Sequence, residues 1–238
     1  NQFIDVGLEL GGKDPAYIRE DSDIEKVTPN IMDGVFYNAG QSCCAVERIY
    51  VHESLFHDFV EISIECMNKQ KICNPMQDTS DMGPLAQNSG IKTIEKQLKE
   101  ATYKDAKSIF YSGPIPESGK YLTPAILTNV NHGMEIMMKE TFGPIVGIMA
   151  VKSDEEAIEL MNDSPYGLTA SVWTNDAEMA TKIGSRIDTG TFFMNRCDFL
   201  DPSLPWTGVK ESGKGCTLSS LGIQELTQPK SYYLKLNN

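Results

Sequence analysis

A thiol and a lone carboxylate, 34 residues apart, are the residues of this sequence best placed to do chemistry. The thiol is Cys43, in Phe36-Tyr-Asn-Ala-Gly-Gln-Ser-Cys-Cys-Ala45; the carboxylate is Glu9, in Val6-Gly-Leu-Glu-Leu-Gly-Gly-Lys13. A thiolate is a strong nucleophile, and hydrolysis of an adduct on its sulfur needs a base that activates water. The separation is too long for two residues of one helix and suits two loops that meet in space. Glycines beside both residues let backbone approach a substrate closely.

Each residue also has a plainer reading. A cysteine in an arbitrary chain is usually a small buried hydrophobe. Gly40 and Gln41 leave no apolar packing position just ahead of Cys43, which favours the nucleophile. Glu9, between Leu8 and Leu10, could be a solvated residue of an alternating strand. As a base it needs partial burial near Cys43, which would raise its pKa. Cys66 and Cys73, on or just after a helix, read as structural.

The elements that must hold these residues follow from periodicity. Residues 4–10 alternate and read as a strand ending in the Gly11–Gly12 turn. Asp21 or Ser22 caps a helix to about Tyr37, with a kink at Pro29, and Asn38-Ala-Gly40 ends it, leaving Cys43 on the exit loop. A strand over 48–51, a helix over 53–72, a loop over 74–85 and a helix over 88–104 come next. Strands are expected at 108–111, 122–128, 145–151, 169–173 and 190–195, and helices at 154–162 (capped by Ser153 or Asp154) and 176–185. This order predicts an α/β fold with an open, twisted, mostly parallel sheet and flanking helices. Residues 231–236 alternate and read as one further strand.

The chain has 238 residues, a net charge of −12 and 40% apolar residues, enough for a core and wrong in sign for nucleic acid or an anionic membrane. Six cysteines without a CxxC pair or metal spacing suit a reducing compartment, and a cytoplasmic location is expected, an organelle matrix being the other option. No run has the length of a membrane span and no secretory signal is visible. The histidines (52, 57, 132) are scattered, so no metal site is expected. Gly213-Lys-Gly215 has Leu218 at the third glycine position of a dinucleotide fingerprint, and Gly11-Gly-Lys13 lacks the rest of a phosphate loop. The start at Asn1 reads as a fragment, a processed chain or a trimmed one.

The Glu9 and Cys43 segments together resemble the aldehyde dehydrogenase superfamily. Lys139-Glu-Thr-Phe-Gly-Pro-Ile145 lies at a matching distance, with Glu140 97 residues beyond Cys43. Ser164-Pro-Tyr-Gly-Leu168, Gly190-Thr-Phe-Phe-Met-Asn195 and Pro205-Trp-Thr-Gly208 with Lys210-Glu-Ser-Gly213 are similar to further signatures of that family. The resemblance runs from about residue 6 to the end.

It implies that Cys43, rather than Cys44, attacks an aldehyde, that hydride passes to NAD or NADP (NAD favoured), and that Glu9 activates water to release a carboxylate. Retention of Glu9 favours hydrolysis over acyl transfer to coenzyme A. Glu140 would bind the nicotinamide ribose and Phe142 would lie along the nicotinamide, with Leu10 also at the cofactor. Ser42, Cys44, Asp198, Leu200 and Trp206 would line the substrate mouth; for Trp206 a pure packing role is equally open.

The resemblance also implies a division: residues 1–12 end a cofactor-binding domain and carry the base, 13–222 form a catalytic domain, and 223–238 carry an oligomerisation strand. An N-terminal cofactor-binding domain, with an oxyanion-binding asparagine and a cofactor-contacting lysine, would be a partner from outside these residues. A homodimer or tetramer is expected. Whether this polypeptide oxidises anything alone is left open, as is a non-enzymatic role as an interaction module with an exposed apolar face. A cysteine hydrolase lacks a convincing histidine near Cys43.

Overall fold

The computed structural model describes residues 4–77 and 79–236. In chain order the first elements are β1 (Leu8–Glu9), β2 (Asp14–Ile18), α1 (Ile24–Phe36), β3 (Val46–His52) and α2 (Phe56–Asn68). There follow α3 (Asn88–Tyr103), β4 (Lys107–Phe110), β5 (Ala125–Thr128), the single turn α4 (Glu135–Met138), β6 (Ile145–Val151) and α5 (Asp154–Asn162). The remainder holds β7 (Tyr166–Gly167), β8 (Thr169–Trp173), α6 (Ala177–Gly184), β9 (Thr191–Met194), β10 (Val209–Lys210), β11 (Gly213–Lys214) and α7 (Ser219–Glu225).

Seven strands make one sheet in the order β4–β5–β6–β3–β2–β8–β9. Only the edge strand β4 runs antiparallel to its neighbour; the other pairs are parallel. The fold is α/β with a mostly parallel sheet and flanking helices, as expected. A parallel sheet is covered on both faces, so its inner strands are apolar throughout. In β6 the run Ile145-Val-Gly-Ile148 is buried without alternation. Among the described residues no helix is long and apolar enough to cross a membrane.

The expected strands at 145–151, 169–173 and 190–195 and helices at 88–104, 154–162 and 176–185 form at or within a residue of those bounds. Ser153 and Asp176 cap α5 and α6 by accepting the backbone N–H three residues on. The strand expected over 122–128 begins only at Ala125, after Pro124, which has no N–H to donate.

Four expectations need correction. The most central omission is β2, a segment to which the sequence reading assigned no element. Asp14-Pro-Ala-Tyr-Ile18 pairs with β3 on one side and β8 on the other and is buried throughout. A register shift between Asp14 and Pro15 absorbs the proline, the place where an inner strand tolerates one. The strand expected over 4–10 reduces to Leu8–Glu9, which pair with Lys214 and Gly213. Helix α1 starts after Asp23, because Asp21 accepts from Thr174 and the Asn175 N–H and the Ser22 hydroxyl donates to the Trp173 carbonyl. Pro29 lies inside this helix without ending it. Finally, residues 231–236 form no strand and are exposed, since no strand among the described residues pairs with them to complete their hydrogen bonds. Residues 1–3 of the expected first segment, Asp78 in the expected loop and 237–238 of the expected last segment lie outside the described residues.

Candidate active site

Parallel strands align their amino ends, and the chemical residues sit on the loops that lead into them. Glu9–Lys13 precedes β2, the Cys43 loop precedes β3, and Glu140–Gly143 precedes β6. The loops therefore meet at one edge of the sheet.

Backbone contact joins them. A Cβ on Gly12 would lie 2.3 Å from the Cys43 carbonyl oxygen, and one on Gly40 would lie 2.3 Å from that of Gly143. Gly40 also has a φ of 71°, which favours glycine a second time. Ahead of it Asn38 and Ala39 adopt φ of 50° and 57°. The Asn38 and Gln41 amides bond to each other's carbonyls across this turn.

A cleft of about 470 Å³ opens at this edge. It is lined by Glu9 and Cys43 together with Ser42, Cys44, Asp198, Leu200 and Trp206, so the expected nucleophile, base and substrate-side residues share one cavity. The sequence reading missed Asn30, Asp33 and Tyr37 of this lining, and Cys197. Asn30 and Asp33 lie at helical spacing on one side of α1 and Tyr37 directly follows its end, a pattern legible once that helix is known to face the cleft.

Within the cleft the two thiols differ. Cys43 is exposed and Cys44 buried. The Cys44 thiol donates to Asp198 Oδ1 at 2.8 Å, and the Ser42 hydroxyl reaches the same oxygen at 3.3 Å. The Cys43 thiol is pushed down to about 7, chiefly by hydrogen bonding from Cys44; partial burial opposes this, its own backbone N–H assists, and the Asp198 and Glu9 charges oppose. Cys44 is pushed strongly upward by hydrogen bonding with Cys43, by burial and by its hydrogen bond to Asp198, the two bonds being alternatives for its one proton. Glu9 is exposed and accepts a hydrogen bond from the Thr217 hydroxyl at 2.5 Å, a partner 208 residues away that no local pattern reveals. Trp206 is buried against Cys44 and Leu168 and also lines the cleft.

Glu140 and Phe142 border a second cleft of about 350 Å³, with Gln41, Gln87, Ser89 and Thr93. The Glu140 carboxylate accepts the Gly12 N–H at 3.2 Å. Burial raises its pKa, which the Gly12 hydrogen bond partly offsets. Phe142 is 43% exposed at a φ of 52°. Leu10 lines neither cleft; its side chain is exposed and its N–H donates to the Ser212 carbonyl.

Beneath both clefts lies a buried ion pair. Lys13 Nζ donates to Glu47 Oε2 at 2.7 Å and to Thr141 Oγ1 at 2.8 Å. Neither residue was singled out from the sequence, where Lys13 reads as the end of a glycine turn. Of the histidines, His132 bridges Tyr50 and Asp163 on the far side of β3, and no cluster with metal-ligand chemistry occurs among the described residues.

Comparison with known proteins addresses the fold and the family. The profile of the aldehyde dehydrogenase family matches residues 1–232. An aldehyde dehydrogenase of Paenarthrobacter nicotinovorans is 37% identical over 95% of this chain and 49% of its own length. A 3-sulfolactaldehyde dehydrogenase of Priestia aryabhattai is 36% identical over 97% of the chain and 48% of its own. Among solved structures, a betaine aldehyde dehydrogenase of Staphylococcus aureus in complex with NAD+ superposes with a TM-score of 0.88 at 32% identity, covering 92% of this chain and 44% of that one. Lactaldehyde dehydrogenase of Escherichia coli gives a TM-score of 0.90 at 33% identity over 96% and 48%. The chain spans about half the length of the relatives it matches. Shared fold, shared sequence and a family profile that covers nearly all of these residues lead to one conclusion: the chain belongs to the aldehyde dehydrogenase family.

Proposed function

We propose that this chain carries the nucleophile, the base and part of the cofactor site of an enzyme that oxidises an aldehyde to a carboxylic acid with NAD(P)+. The single observation that supports this most is the shared cleft of Cys43 and Glu9, with the Cys43 thiol pushed down to about 7. At neutral pH much of that thiol is thiolate, the form that attacks a carbonyl carbon.

Attack forms a thiohemiacetal on Cys43. The Cys43 backbone N–H would donate to the developing oxyanion. A bound nicotinamide would supply the hydride acceptor that converts this adduct into a thioester on Cys43. Glu9 then takes a proton from water, hydroxide displaces the thiolate, and the acid leaves. The Thr217 hydroxyl holds the Glu9 carboxylate in orientation.

The residues at the second cleft fit a nicotinamide nucleotide. Glu140 offers a half-buried carboxylate to ribose hydroxyls, and the exposed Phe142 ring offers an apolar face. NAD+ is favoured over NADP+, by analogy with the NAD+ complex of the staphylococcal relative. The domain division, the homo-oligomer, the cytoplasmic setting and the partner domain that completes the cofactor site stay part of the proposal. Leu10 enters it only through its backbone, which joins β1 to the Ser212 turn.

The test is NADH formation with a panel of aldehydes, on the chain alone and on the chain joined to the amino-terminal half of a family member. Iodoacetamide labelling is mapped alongside. Turnover in either form, labelling at Cys43 and loss of turnover in Cys43→Ser are expected. Absence of turnover in both forms with Cys43 inert to alkylation would reject an enzymatic role and leave an interaction module.

A further inference from the structure

One buried cluster touches all three functional segments. Lys13 lies four residues after Glu9, Glu47 four residues after Cys43, and Thr141 between Glu140 and Phe142. Side-chain exposure is 0% for Lys13 and 3% for Glu47, and Thr141 and Gln97 are buried with them.

Both Glu47 oxygens are committed. Oε2 accepts from Lys13 Nζ at 2.7 Å and from the Thr141 N–H at 2.8 Å; Oε1 accepts from the Phe142 N–H at 2.8 Å. Thr141 Oγ1 accepts from Lys13 and donates to Gln97 Oε1 at 3.0 Å. Gln97 Nε2 then donates to the Glu140 carbonyl at 3.1 Å, so every residue from Glu140 to Phe142 is bonded to the cluster through its backbone.

We propose that Glu47, held by Lys13, is the positioning residue that sets the Glu140–Phe142 loop and so aims the Glu140 carboxylate and the Phe142 ring. The need for such a clamp is visible in the backbone. Phe142 has a φ of 52°, a conformation that a bulky residue leaves unless its surroundings fix it. A carboxylate facing two successive N–H groups fixes it, and burial strengthens both bonds. The same pair locks the loop to β2 through Lys13 and to β3 through Glu47, so the cofactor groups are referenced to the strands that follow Glu9 and Cys43. The function assigned to this clamp rests on the proposed cofactor role of Glu140 and Phe142.

The experiment compares Glu47→Gln, Lys13→Met and the double variant in the full chain, with Phe59→Leu in the α2 core as a control for lost stability. Amide hydrogen exchange of Thr141 and Phe142 is the first readout. NAD+ affinity of the form joined to a family member's amino-terminal half is the second. Thr141 and Phe142 donate to different Glu47 oxygens, and in glutamine one of these becomes an NH2, so one of the two backbone N–H groups faces a donor and loses its acceptor. Glu47→Gln is expected to speed exchange at Thr141 or Phe142 and to weaken NAD+ binding, each by about tenfold or more. The control leaves both near wild type.

The double variant removes both charges and so recovers Tm relative to either single change, while exchange stays fast because the acceptor is still missing. Exchange unchanged in Glu47→Gln, or restored together with Tm in the double variant, would overturn the positioning role. If the wild-type joined form binds no NAD+, the functional reading fails, and the exchange readout alone still decides for or against the clamp.

Discussion

Cys43 and Cys44 are the same chemical group one residue apart, and their surroundings give them opposite acidities. Cys44 is buried and spends its proton on its neighbours; Cys43 is exposed and receives. The rate of Cys43 alkylation by iodoacetamide should therefore rise with pH around a midpoint of about 7, below the value of an ordinary thiol. The sign follows from the charged form: stabilising the thiolate lowers the pKa, so reactivity appears at lower pH. Cys44→Ala removes the largest cause and should move the midpoint up; an unmoved midpoint would assign the effect elsewhere. Glu9 is argued at the same scale. In Glu9→Gln the thioester should form nearly as fast as before and break down more slowly, so a burst of NADH precedes a reduced steady rate. Stopped-flow absorbance separates the two phases, and an undiminished steady rate removes Glu9 from the base role.

At the scale of elements, the site is made by loops entering the amino ends of β2, β3 and β6. Many open α/β sheets bind ligands at the carboxyl ends instead. Close backbone packing is what holds these loops. Gly12 is one such link, because a Cβ there would meet the Cys43 carbonyl, and backbone has little freedom to retreat. Gly12→Ala should cost about 3 kcal/mol of stability, as overpacking against an unyielding neighbour does, and should slow Cys43 alkylation at pH 7 by displacing the loop. Urea unfolding with the alkylation assay checks both. A variant of wild-type stability would show that the Cys43 loop moves aside at no cost.

For the molecule as a whole, one hydrophobic core extends from β2 to the end of α6 and through Ile187, and the segment after α7 stands apart from it. Tyr232, Tyr233, Leu234 and Leu236 are between 74% and 90% exposed. Removing residues 228–238 should leave the unfolding free energy of the chain within about 0.5 kcal/mol, since surface groups away from packing contribute little. The same truncation should reduce self-association, because exposed apolar groups in a row drive it. Denaturant melts and sedimentation velocity read the two effects. A large loss of stability would mean that the segment packs on the core in solution.

How much was legible in the sequence varies with the range of the cause. Periodicity and caps are local, so α3, α5, α6, β6, β8 and β9 were readable from their own residues. Spacing and glycine context singled out Cys43 and Glu9, and the family resemblance added Glu140 and Phe142. The sequence by itself thus determined the α/β class, the family resemblance and the candidate nucleophile and base. Three things belong to the tertiary structure alone. The first is β2, whose Asp14–Pro15 start looks like a turn until strands on both sides pair with it. The second is the burial of Cys44 and its hydrogen bond to Asp198, 154 residues away, which set it apart from the exposed Cys43. The third is the Lys13–Glu47 pair, formed by side chains 34 residues apart and closed over Thr141, 128 residues from Lys13. Burial and hydrogen bonding between distant residues are properties of the packed chain, and they decide whether a charge is paired, which way a proton points and which strand is central.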